Sequence, residues 1–132
     1  MKPELRKEIL DLGLVGGGAI PGALLRWRLA SLDSPLHLEI LGVNGLANLI
    51  GCLVIGLVLA GAAERPRRFL AVGIGFCGSL TTFSSWMLEL TEQLSQGQLA
   101  EAWGQLVITL VGGLALTGLG YALGQELKQR RG

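Results

Sequence analysis

Charge is absent from four long intervals of this chain: Leu12–Leu25, Ile40–Ala63, Phe69–Leu88 and Ala102–Gln125. Few folds accept that pattern. A helix needs about 20 apolar residues to cross a bilayer. The last three intervals meet that length directly. The first does so once Ile9 starts it and the long stems of Arg26 and Arg28 reach the interface. The sequence therefore predicts an all-α membrane protein. It is expected to be a single four-helix transmembrane domain over 1–132, with helices at about 9–31, 37–62, 69–94 and 98–126. Composition agrees: 16% of the 132 residues are charged, against about 25% in soluble domains. The polar start, Met1 to Glu8, does not read as a cleaved signal peptide.

Short connections separate the helices. Ser31-Leu32-Asp33-Ser34-Pro35 is rich in turn formers, Ala63 to Arg68 is charged, and Gln96-Gly97-Gln98 is polar. With four spans, both termini and the middle loop share one side of the membrane. That side carries nine of the 11 Lys and Arg residues: Lys2, Arg6, Lys7, Arg65, Arg67, Arg68, Lys128, Arg130 and Arg131. The other side has Arg26 and Arg28 and is flanked by Glu89, Glu92 and Glu101. The positive-inside rule then predicts a multi-pass protein of the cell membrane with both termini in the cytoplasm. The 21 glycines include the four-residue pairs Gly13/Gly17, Gly18/Gly22 and Gly120/Gly124. Such spacing lets helix backbones approach closely in lipid.

Chemistry-bearing residues are few. The glycine pattern Gly73-Ile74-Gly75-Phe76-Cys77-Gly78 resembles a dinucleotide-binding turn, but it sits inside an apolar interval rather than between a strand and a helix. Cys52 and Cys77 have no histidine partner in the spans and read as small apolar residues. A net charge of +1, with no basic stretch interleaved with aromatics, points away from nucleic acid. No catalytic set is visible, so the chain is not expected to be an enzyme. Asn44 and Asn48 share one face of the second helix. Buried amides need partners: they either bond between helices or donate to a passing anion. Thr109 and Thr117 on the last helix pose the same choice in weaker form, since a helical Thr often bonds its own preceding turn.

The most unusual stretch runs from Gly75 to Trp86. Within an apolar interval it gathers glycines, aromatics and the hydroxyls of Ser79, Thr81, Thr82, Ser84 and Ser85. A lipid-facing helix has no use for that mixture. It implies a helix interrupted at membrane depth, its freed carbonyls and hydroxyls facing protein or water. Amide and hydroxyl hydrogens and electropositive ring edges can together replace the water shell of a small anion.

These residues resemble the CrcB/Fluc fluoride channels. The most specific element is Gly75-Phe76-Cys77-Gly78-Ser79-Leu80-Thr81-Thr82-Phe83-Ser84. It is supported by Gly17-Gly18 with Gly22-Ala23-Leu24-Leu25-Arg26-Trp27, and by Ala47-Asn48-Leu49-Ile50-Gly51-Cys52. The resemblance covers nearly the whole chain. It implies passive, fluoride-selective export that confers fluoride resistance. It also implies a third helix broken at the membrane midplane, and an antiparallel dimer of the chain with itself or with a CrcB paralogue. By the same resemblance the carbonyls of Gly78 and Thr81 hold a structural Na⁺ at the dimer interface. Asn48, Phe83, Ser84 and Thr82 line the ion pathway, and Arg26 has a structural or vestibule role.

Four departures accompany the resemblance. Trp86 stands where a second pore phenylalanine is expected, and Asn44 where threonine is usual. A polar track on the last helix maps onto Gln105, Thr109 and Gly113, keeping a hydroxyl only at Thr109. The charge bias is stronger than a dual-orientation homodimer needs, which points to one subunit of a heterodimer. Two other readings stay open: a non-conducting assembly subunit, and a small four-span multidrug exporter. The exporter needs a carboxylate within its first span, and Leu12–Leu25 has none.

Overall fold

The computed structural model describes residues 2–31 and 41–130, and their regular structure is helical throughout. Helix α1 is Pro3–Ser31 and α2 is Gly42–Leu59. Residues 66–80 form α3, whose middle, Phe69–Cys77, has the wider π geometry. Helix α4 is Ser84–Ser95 and α5 is Leu99–Gln129. With α3 and α4 taken as one stretch, four helical stretches are long and apolar enough to cross a membrane. Large apolar side chains such as Leu12 and Val111 point outward, as expected where the solvent is lipid.

Local chemistry sets the ends. Pro3 opens α1, where its missing N–H costs nothing. The first helix therefore starts well before Ile9, the expected position. The expected second helix, 37–62, stops earlier at its far end, at Leu59. Its expected first residues, 37–40, lie outside the described residues, as do Leu32 to Pro35 of the expected turn. Leu41 is a turn residue, and Gly42 has φ 60°, a conformation suited to glycine. At the far end, Gly61 and Ala62 donate to carbonyls three residues back, both at 3.2 Å, which tightens the chain out of the helix. Helix α4 ends in a Schellman turn: Gly97, at φ 78°, donates to Leu94, and Gln98 reaches Gln93 at 3.0 Å.

Two backbone-to-backbone seams hold the molecule. In the first, α1 lies on α3. A Cβ at Gly18 would fall 1.8 Å from the Ala71 carbonyl oxygen, and one at Gly22 would fall 2.3 Å from that of Phe76. Ser79 Oγ adds a bond to the Ala19 carbonyl at 2.8 Å. In the second, α2 lies on α5. A Cβ at Gly56 would fall 2.3 Å from the Thr117 carbonyl oxygen, and one at Gly120 would fall 2.3 Å from that of Leu53. Gly13 and Gly17 have the same spacing but face open space. A small apolar core of Trp86, Leu90 and Ala102, flanked by Met87 and Leu106, joins α4 to α5.

Candidate ion pathway

Between α3 and α4 the chain leaves helical geometry at Thr81, with φ −77° and ψ 151°. Asn48, on α2, holds this segment. Thr82 N–H, which would otherwise extend the helix onto the Gly78 carbonyl, donates to Asn48 Oδ1 at 2.8 Å. Asn48 Nδ2 donates back to the Thr82 carbonyl at 3.0 Å. One side-chain amide thus satisfies both backbone groups of one residue, and its second Nδ2 hydrogen is left over. Ser85 N–H, which would otherwise reach the Thr81 carbonyl, donates to Thr82 Oγ1 at 3.3 Å. Thr82 Oγ1 in turn donates to Ser85 Oγ at 3.2 Å. Among the described residues, the carbonyls of Gly78 and Thr81 therefore receive no backbone N–H. The backbone at Gly78 is bare, since a Cβ there would meet nothing within 4 Å. Two uncommitted carbonyls at a helix interruption suit a hard cation.

Residues far apart in sequence converge on one groove of about 690 Å³. Asn48 lines it from α2, Gly78, Thr81, Thr82 and Phe83 from the interrupted segment, Trp86 from α4 and Thr109 from α5. Cys52 and Cys77 lie in its wall, and no charged residue among the described residues lines it. Phe83 is 73% exposed, while Trp86 is only 3% exposed. Their rings meet edge to face at 6.0 Å. The indole is therefore tucked into the α4–α5 core rather than standing free across the groove. Trp86 Nε1 and Thr109 Oγ1 are buried without a hydrogen-bond partner. Thr117, by contrast, is spent on its own helix, donating to the Gly113 carbonyl at 2.9 Å.

Three candidate residues stand apart from the groove lining. Asn44 donates to Glu89 Oε2 at 3.0 Å and, at the limit of bonding distance, to the Ser85 carbonyl at 3.5 Å. Both its amide hydrogens have acceptors, one of them a carboxylate, which leaves no free donor for an anion. Ser84 is the exposed first residue of α4, and Arg26 is half-buried in the last turns of α1. Two further residues shape the site through partners that the sequence did not show. Glu89 anchors Asn44. Gln105, fully buried, donates to the Leu41 carbonyl at 2.9 Å and fixes the start of α2. Its signal was a polar amide four residues before Thr109 in an apolar interval; its partner, 64 positions away, left none.

These features define a class: a four-span membrane protein with an uncharged, donor-lined groove at a helix interruption. The family described as CrcB-like protein, Camphor Resistance (CrcB), matches residues 13–121. The chain belongs to this family. It is 50% identical to "Fluoride-specific ion channel FluC 2" of Synechococcus sp. (strain CC9605), over 96% of this chain and 90% of that protein. It is 39% identical to "Fluoride-specific ion channel FluC 1" of Parasynechococcus marenigrum (strain WH8102), over 84% of this chain and 90% of that one. The corresponding figures for the FluC of Chromobacterium violaceum are 37%, 93% and 98%.

Proposed function

We propose that this chain is a subunit of a fluoride-selective channel. Fluoride leaves the cytoplasm through it passively, down its electrochemical gradient, and the cell becomes fluoride-resistant. The observation that carries the reading is the convergence of Asn48, Phe83 and Thr109 on one uncharged groove, in a chain half identical to proteins named for fluoride. The remaining Nδ2 hydrogen of Asn48, the unpartnered Thr109 hydroxyl and the exposed Phe83 ring edge are the donors for a small, hard anion. Thr82 and Ser84 border the ring. Trp86 sits behind Phe83, edge to face with its ring, and holds it in place. Passive flow needs no catalytic group and no coupling carboxylate.

The groove is open along one side in a single chain, and Phe83 is too exposed for a finished wall. An antiparallel partner closes it, with the interrupted third span at the bilayer midplane. The carbonyls of Gly78 and Thr81, deprived of their N–H donors, would hold a Na⁺ there, which would supply positive charge at the interruption. The partner is a paralogue of opposite charge bias. In support, P. marenigrum WH8102 and Synechococcus sp. CC9902 each have both a FluC 1 and a FluC 2 among the relatives of this chain. Both termini lie in the cytoplasm.

Expression in a fluoride-sensitive bacterium that lacks its own fluoride channel tests the reading. The chain, alone or with its paralogue, should restore growth in fluoride, and Phe83→Ile should lower the rescue by at least about tenfold in efflux rate. A non-conducting assembly subunit restores nothing, and a drug exporter protects against cationic drugs instead. Full rescue by Phe83→Ile contradicts the pathway.

A further inference from the structure

A second cavity, of about 390 Å³, lies at the opposite end of the α2–α5 seam from Asn44. Leu57 and Val58 at the end of α2 and Leu127 near the end of α5 line its apolar part. Gly61 and Gly124 keep it open. Glu64, Arg65, Arg68 and Lys128 line the rest. The loop between α2 and α3 is fixed by backbone bonds, including Arg65 N–H to the Gly61 carbonyl at 3.0 Å. Lys128 pairs with Glu64. That hydrogen bond is the main cause of a Glu64 carboxyl held below its usual range. Among the described residues, Arg65 and Arg68 have no carboxylate within ion-pair distance. The cavity thus combines two uncommitted guanidinium groups with an apolar wall, at the depth where spanning helices end.

We infer that this cavity binds one anionic phospholipid, its phosphate on Arg65 and Arg68 and the start of its acyl chains against Leu57, Val58 and Leu127. Guanidinium groups match the two free oxygens of a phosphodiester through paired N–H donors. Basic pockets between helix ends on the cytoplasmic side recognise lipid headgroups in this way. A free phosphate would use the arginines but leave the apolar wall uncovered. Arg67 serves as an internal control, because it lies between the two arginines in sequence, carries the same charge and does not line the cavity.

The test is native mass spectrometry of the full-length protein titrated with dihexanoyl phosphatidylglycerol, dihexanoyl phosphatidylcholine or inorganic phosphate. The glycerol lipid should bind as a single adduct per chain and outcompete both other probes. Arg65→Gln and Arg68→Gln should each weaken it by about tenfold, the loss of one charge-assisted contact. Arg67→Gln should leave it unchanged. Arg65→Lys should weaken it less than Arg65→Gln, which guards against a folding artefact. Equal binding of the two lipids overturns the inference, as does equal binding of inorganic phosphate. So does a loss in Arg67→Gln matching that in the other two, which would mark a diffuse basic surface.

Discussion

Asn48 shows why a residue type alone does not fix a role. Its side chain was open to two readings, a structural bond between helices or a donor to an ion. The structure gives the first to one of its amide hydrogens and leaves the second hydrogen for the other. Asn44 carries the same side chain one turn earlier, yet Glu89 absorbs it. That difference was not legible in the sequence, where Glu89 read only as a charge flanking a loop. Asn48→Ala should strip both backbone groups of Thr82 of their partners. Each half-buried group so orphaned costs about 1–3 kcal/mol, so thermal unfolding in detergent should shift down well beyond the effect of a surface substitution. An unchanged midpoint would mean that water replaces the amide without cost. Trp86 is a finding of another kind. The sequence placed it where a second pore phenylalanine is expected; its burial beside Leu90 and Ala102 takes most of the ring out of the groove.

At the scale of elements, the pattern of uncharged intervals made the four spans legible, because lipid tolerates so few charges in a helix. Helix ends were less so. The start of α2 depends on a positive φ at Gly42 and on the bond from Gln105, and neither has a local signal. The glycine pairs were legible as a type but not by direction. Gly13/Gly17 and Gly18/Gly22 have identical spacing, and only the face each presents to a neighbour distinguishes them. Gly56→Ala should therefore push α2 off α5, where the added carbon meets the Thr117 carbonyl, at a cost of about 1–3 kcal/mol. Gly13→Ala, with nothing within 4 Å, should leave stability unchanged or slightly raised. Thermal melts of the two variants side by side decide this, and equal losses would contradict the assigned seam.

For the molecule as a whole, composition carried the membrane class, and the charge bias carries only an expected orientation. A single chain leaves one side of its groove open and Phe83 exposed, and the proposed partner would cover both. The bias of nine basic residues against two should place every C-terminus in the cytoplasm, as read by a reporter fused after Gly132. Equal populations on both sides would contradict the fixed orientation and favour a homodimer inserted both ways. The central claim is that the groove conducts fluoride once a partner closes it. Its most direct test is ion efflux from liposomes containing the purified chain together with its paralogue, read with a fluoride electrode beside a chloride control. The account predicts rapid loss of fluoride, no loss of chloride, and suppression of the fluoride signal by Phe83→Ile. Equal loss of both anions, or no fluoride loss from liposomes that hold the assembled pair, would contradict it.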